Sequence, residues 1–471
     1  MNTRANNKVQ TFSATILTYG ATLTHLTCPD RWNQPQDVVL GFDHWQDYIA
    51  QANPGALNPY FGSIIGPTAS RIANATFQLG STHAYSNTTN ITAASPTQAP
   101  IHVLQVSNGL DCHHGGLKGF DKQHWTTVDV NQDETSVTLE WVSPHGDYGY
   151  PGRLVSSVQY KLTDQGELLI EFAAELKEGD KSEGAAQHTT SMDLHSTIVS
   201  LTNHAYWNLD GVLNPSEDQA GQLQSLLERP STSGTSKDIK DNNVVVFKSP
   251  CTVKDHTLWL ATSTLVELGD KHPVPTGVLL DVTKTPELHV QKELLDFTGA
   301  ETHPASKNKA LGHGLDLIPG GYGYDHVFAL DGTDAAHTTP VPVNDVGIQA
   351  YWPRTPHVAT LYSPRSGIRL DLSTSEPAVV LYAAGYIDKS LPRTKSKILD
   401  IPTSNTSGPA VAGGGDESKI RIEAEFDKFA GFCLEPIRYP DAIHHRDWAG
   451  MVILHHDQVY RQRSLYKFSA E

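Results

Sequence analysis

Cysteine is scarce in this chain of 471 residues: four stand at positions 28, 112, 251 and 433, with no C-x-x-C pair among them. That spacing leaves neither a zinc knuckle nor a disulfide scaffold to organise the fold, so free thiols in a reducing compartment are expected. Basic residues are in deficit too. Lys plus Arg number 35 against 52 Asp plus Glu, a formal charge of −17, which disfavours nucleic acid, anionic membranes and highly phosphorylated partners. A neutral small molecule fits better. No apolar run is long enough to span a bilayer, and the opening Met1-Asn2-Thr3-Arg4-Ala5-Asn6-Asn7 lacks the apolar core of a signal peptide, so a soluble, cytoplasmic protein is expected. Asn-x-Ser/Thr matches at Asn74, Asn87, Asn90 and Asn405 point toward secretion, but chance produces such matches in a Thr- and Asn-rich chain. There is no G-x-G-x-x-G after a strand, no P-loop and no H-E-x-x-H, so no nucleotide domain or metal site is indicated. The pairs His113-His114, His444-His445 and His455-His456 do not change this, because neighbours on a strand point to opposite faces.

Only three Met, beside 37 Gly and 28 Pro, argue for turns and strands over a helix-rich core. Short alternating runs bear this out, beginning with Ala14–Tyr19 and Thr22–Leu26 around a turn at Gly20, which together predict a hairpin. Similar runs recur at Trp125–Val130, Ser136–Val142, Leu154–Leu162, Leu168–Leu176, Ile198–Leu201, Val244–Phe247, Val358–Tyr362, Ile368–Leu372, Ala378–Tyr382 and Met451–Leu454. Helical periodicity is faint, at Ala220–Leu227 and Val290–Asp296. The reading is an all-β sandwich or barrel. Polar stretches near residues 86–100, 177–195, 234–243, 302–311 and 390–418 read as loop insertions. Candidate chemistry lies on both sides of each, so a single domain spanning 1–471 is expected.

The most unusual stretch is Gly431-Phe432-Cys433-Leu434-Glu435, an acid behind four uncharged residues. Desolvation raises a carboxyl pKa and makes its ionised form a stronger base; the plainer alternative is a strand end whose Glu pairs with Arg438. His114, before Gly115-Gly116, and His204, in Leu201-Thr202-Asn203-His204, are candidate proton donors or acceptors near neutral pH, although a lone His is more often structural. Asp325, in Gly323-Tyr324-Asp325-His326, and Arg71, in Ser70-Arg71-Ile72-Ala73-Asn74, suit sugar hydroxyls; a structural ion pair is the alternative. Trp141, Tyr148, Tyr150, Trp207 and Tyr324 offer flat faces for pyranose rings, but sandwich cores use the same aromatics.

Taken together, these stretches resemble the aldose 1-epimerase family, the galactose mutarotases. Ser70-Arg71-Ile72-Ala73-Asn74, His114-Gly115-Gly116 with Lys118-Gly119-Phe120-Asp121, Gly149-Tyr150-Pro151-Gly152, Leu201-Thr202-Asn203-His204, Tyr324-Asp325-His326, and Gly431–Glu435 with Tyr439-Pro440-Asp441-Ala442 occur in family order across nearly the whole chain. The resemblance implies a large antiparallel β-sandwich with few short helices. It also implies interconversion of the α and β anomers of free hexoses such as galactose and glucose, without a cofactor. Glu435 would be the general base at the C1 hydroxyl and His204 the general acid at the ring oxygen. Arg71, His114 and Asp325 would hold the sugar, with Ser70 and Tyr206 lining the same pocket. Three positions depart from the family pattern: Val380 replaces a Gln that reaches the sugar, Ser70 replaces Asn, and His113 replaces Leu. A hexose-6-phosphate epimerase would want an Arg/Lys cluster for its phosphate, a glycosidase would use two carboxylates such as Glu435 and Asp325, and a non-catalytic sugar-binding protein could keep the pocket without turnover.

Overall fold

The computed structural model describes residues 12–51, 57–79, 100–131, 135–177, 195–214, 221, 244–269, 272–285, 294–299, 309–318, 320–330, 340–342, 355–391, 394–400 and 419–471. Most of the two faint helical stretches and of the five polar insertions lies outside the described residues; within the helical stretches, residues 221 and 294–295 are helical.

The architecture is predominantly antiparallel β-sheet with few short helices among the described residues, in keeping with the all-β sandwich expected from the sequence. Alternation explains why these segments are strands. In Glu167–Lys177 every second residue, Leu168, Ile170, Phe172, Ala174 and Leu176, is buried, while those between are only partly so. Arg153–Leu162 repeats the pattern, and one face of each strand goes to the core. The longest strand, Gln458–Ala470, pairs with Glu167–Lys177 on one side and Ile368–Thr374 on the other, at the centre of a ten-stranded sheet. The expected hairpin is present as Ser13–Leu17 with Thr22–Pro29.

A second sheet has six strands in the order Tyr206–Trp207, Phe432–Ile437, Ala378–Tyr382, Asp325–Ala329, Thr264–Leu268 and Pro275–Asp281. Its two faces have different fates. Phe432, Leu434, Val379, Leu381 and Phe328 join the main core with residues of the large sheet such as Phe172, Leu370, Tyr466 and Phe468. Burying each such side chain contributes roughly 1.5–3 kcal/mol relative to leaving it exposed. Tyr466 donates from Oη to the Leu434 carbonyl at 3.0 Å, and Gln462 from Nε2 to the Pro436 carbonyl at 3.0 Å, tying the two sheets together. The alternate residues Cys433, Glu435, Ile437, Val380, Tyr382 and Asp325 face the other way.

Several expectations need adjusting. Val244–Pro250 pairs in parallel with Lys419–Glu425, an exception to the antiparallel rule. The run expected at Met451–Leu454 starts with a 3-10 turn, Ala449–Met451, and its strand is Ile453–His455. Ile198–Leu201 ends as a strand at Ile198, after which Thr202–Asn203 pairs with Ile64–Ile65. Trp207, Tyr150 and Tyr324 are buried, so these aromatics belong to the core.

Candidate active site

On the outward face of the six-stranded sheet is a cavity of about 380 Å³, whose walls include Ser70, Arg71, His114, His204, Tyr206, Asp325 and Glu435. All seven residues singled out from the sequence meet there, although they lie as far apart in the chain as 70 and 435.

Local backbone geometry presents them. Tyr60, Ser70 and His114, all in the wall, have φ of 56°, 61° and 53°, a left-handed conformation uncommon outside glycine and concentrated at functional sites. Reciprocal bonds hold two of them: the His114 N–H donates to the Ser70 carbonyl at 3.0 Å, and the Ser70 N–H donates to His114 Nδ1 at 3.1 Å. Because Nδ1 accepts, the neutral ring carries its proton on Nε2 and is a fixed donor. Burial, with His113, His204, Arg71 and Lys122 nearby, holds its pKa well below the usual histidine range. Gly115 follows with φ 79°, and a Cβ there would lie 2.0 Å from the Gly66 carbonyl oxygen; only glycine permits this turn. Asp441 anchors the Arg71 segment from the far end of the chain, its N–H donating to the Arg71 carbonyl at 3.2 Å and its Oδ1 accepting from the Ala73 N–H at 3.0 Å.

His204 follows a two-residue strand. Its backbone is clamped by a bond from its own N–H to the Ser63 carbonyl and one from the Gly62 N–H to its carbonyl, both 2.9 Å. The ring stacks on Tyr60 at 5.7 Å and on Tyr206 at 5.1 Å. Its Nε2 lies 3.6 Å from Glu435 Oε1. Glu435 is 3% exposed and His204 5%, and burial moves their pKa values in opposite directions. Desolvation, then repulsion from Asp325, raises Glu435 well above the usual carboxylate range; desolvation lowers His204 to about 4. Arg438 gives Glu435 no relief. It turns to the opposite face, where Nε bonds Glu376 Oε2 at 3.0 Å. The pairing that offered the plainer account of Glu435 is therefore not made.

Asp325 belongs to the same sheet wall as Glu435 and is an exposed residue there; desolvation of its carboxyl raises its pKa and Arg71 pulls it back. Tyr60, Tyr382 and Tyr386 also line the wall and were not singled out from sequence; the signal for Tyr60 is its place in Asn58-Pro59-Tyr60-Phe61-Gly62, just ahead of the Arg71 stretch. Conversely, Tyr150 of the Gly149–Gly152 stretch bonds Thr68 Oγ1 at 2.6 Å, and Asp121 pairs with Lys122 at 2.6 Å, so these two conserve shape behind the wall.

His204, Cys433 and Glu435 have potential metal-ligand atoms within 4.8 Å of one another. They do not converge. Cys433 Sγ faces Nδ1 at 3.7 Å while Glu435 faces Nε2, so one ion cannot use a single ring nitrogen between them. The thiol is also pushed well up by burial and by Glu435 and Asp325, against the deprotonation that ligation needs.

What the arrangement offers chemically is a buried acid–base pair beside a set of fixed donors. A family description, aldose 1-epimerase, matches the chain in two stretches, residues 3–254 and 243–467. The galactose mutarotase of Homo sapiens is 26% identical over 454 residues, covering 96% of this chain and 90% of the relative. A probable aldose 1-epimerase of Arthroderma benhamiae is 24% identical, covering 94% and 79%. Among solved structures, a GalM/aldose epimerase homologue from C. elegans superposes with a TM-score of 0.59 at 22% identity, over 98% of this chain and 96% of that one. Galactose 1-epimerase from Lactobacillus acidophilus gives 0.58 at 17% identity, over 99% and 93%.

Proposed function

The chain belongs to the aldose 1-epimerase family and is an isomerase of that kind, and from this premise we propose that it interconverts the α and β anomers of free hexoses, galactose and glucose among them. The observation that carries the reading is the 3.6 Å approach of His204 Nε2 to Glu435 Oε1 inside a polar cavity.

A cyclic aldose presents two oxygens on one carbon, the C1 hydroxyl and the ring oxygen. Glu435, as carboxylate, takes the C1 hydroxyl proton; the electron pair forms the carbonyl as C1–O5 breaks, and His204, as imidazolium, delivers its proton to O5. Rotation about C1–C2 turns the aldehyde over. Reclosure runs the same transfers backward on the other face, so charge and protons balance over the cycle. Burial raises Glu435 and lowers His204, which favours the state with the proton on the carboxyl and both groups neutral. That is the state reached on ring opening, and the ion pair that starts the step is its tautomer with the same single proton, so the cycle needs no proton exchange with solvent. Positioned acid–base groups of this type contribute typically about 10²–10⁴-fold.

Arg71, the Nε2–H of His114 and Asp325 hold hydroxyls further round the ring, with Ser70 and Tyr206 completing the wall. Arg71 is the one Lys or Arg among the described wall residues, which favours a free sugar over a sugar phosphate. The wall draws on residues from Leu57 to Ile437, consistent with the chain working as one domain. All four cysteines are free, which suits the cytoplasm, and among the described residues no helix is long and apolar enough to cross a membrane.

Polarimetry on freshly dissolved α-D-galactose and α-D-glucose tests the reading. Faster approach to the equilibrium rotation is expected on at least one. An unchanged rate on both, with binding still visible by calorimetry, would leave a carbohydrate-binding protein.

A further inference from the structure

Polar groups are unevenly spread over the sheet wall of the cavity. Glu435 stands opposite Val380 on the next strand, and Val380 opposite Val327 on the one after. On the other side Tyr206 pairs with Cys433; two residues along, the same register sets His204 against Glu435, in keeping with their 3.6 Å contact. One row across the sheet therefore reads His204, Glu435, Val380, Val327. The adjacent row reads Tyr206, Cys433, Tyr382, Asp325. Val380 is half-buried in the cavity wall, and Ile437 and Ala69 extend its apolar surface. Immediately beside the buried carboxylate, then, is a step that can neither donate nor accept a hydrogen bond.

On an aldopyranose the ring oxygen, the C1 oxygen and the C2 substituent follow one another in that order. This inference rests on the reading that places the ring oxygen at His204 and the C1 oxygen at Glu435. The row then sets the C2 substituent over Val380, since directly opposed side chains stand about 4.5–5.5 Å apart. We propose that this apolar step selects 2-deoxyaldoses, sugars with hydrogen at C2 where the common hexoses carry a hydroxyl. A hydroxyl pressed on Val380 gives up its water and receives no partner, whereas a C2 hydrogen meets the valine in ordinary van der Waals contact. Asp325, on the next row, and Arg71 and His114, in the wall around the short strand pair Arg71–Ile72 and Cys112–His113, serve hydroxyls further round the ring.

The test compares kcat/KM for 2-deoxy-D-galactose and D-galactose by polarimetry, each corrected for its own uncatalysed rate, in the unaltered protein and in Val380→Thr and Val380→Asn. The deoxy sugar is expected to be preferred by about 5–100-fold, from the usual penalty for an unpartnered buried hydroxyl. Either variant, by supplying a partner, should narrow the preference several-fold. Preference for D-galactose in the unaltered protein, or a ratio that neither variant moves, overturns the inference and leaves the anomerase reading standing. Acceleration of neither sugar overturns both.

Discussion

Removing Arg438 should destabilise the protein in a way that its partner's removal repairs. Arg438 and Glu376 are each 1% exposed and bonded at 3.0 Å. The guanidinium also donates to the Met451 carbonyl and, at 3.2 Å, to the Arg461 carbonyl, and it lies 4.5 Å from the Tyr460 ring centroid. Arg438→Met strands a buried carboxylate, and breaking such pairs costs about 3–5 kcal/mol. Glu376 already has its pKa raised by burial, with Arg438 pulling it down. Without the arginine its folded value rises further above the unfolded one. The folded variant then binds more protons than the unfolded chain, so its stability falls as pH rises from the unfolded carboxyl value through the folded one. Urea unfolding at several pH values should show a deficit that is smallest in acid and grows toward neutrality. In the double variant Glu376→Leu/Arg438→Met no charge is stranded, and most of the loss should return. Two backbone carbonyls remain unfed, so recovery stays incomplete. A deficit under about 1 kcal/mol for the single variant at neutral pH, or additive losses in the double, would refute this account of the pair.

Two further outcomes follow from the site. On the roles proposed for Glu435 and His204 the pair works with one proton between them, so activity should be lost on the alkaline side as the pair gives up that proton, and the two apparent values belong to the pair. Asp325 raises Glu435 by repulsion; Asp325→Asn should move the alkaline limb of the kcat/KM–pH profile to lower pH, and an unmoved or upward limb would contradict the coupling. Gly115→Ala forces a Cβ to within 2.0 Å of the Gly66 oxygen, so sugar affinity measured by calorimetry should fall at least 10-fold through displacement of His114.

Much of this was legible in the chain because strand alternation is local. Arg153–Leu162 and Glu167–Lys177 alternate without interruption, and Ala378–Tyr382 has in the structure the bounds its residues predict. The cavity residues were legible because each sits in a short stretch whose neighbours do a backbone job: Gly115 beneath His114, Asn203 beside His204, Asp441 behind Arg71. What was illegible depends on pairing between distant segments. Nothing near Arg438 says that it turns from Glu435 toward Glu376, 62 residues away. The parallel partner of Val244–Pro250 is likewise set by tertiary assembly. Tyr60 escaped notice because a lone tyrosine between Pro59 and Phe61 reads as core until its left-handed backbone turns it onto His204.

The central claim is that the Glu435–His204 pair carries the proton transfers of anomer exchange. Polarimetry of α-D-galactose with Glu435→Gln, alongside sugar binding by calorimetry, addresses it most directly. The account predicts a loss of at least about 10²-fold in turnover with binding retained, because glutamine keeps the size of the side chain and cannot take the proton. Full turnover in this variant would contradict it.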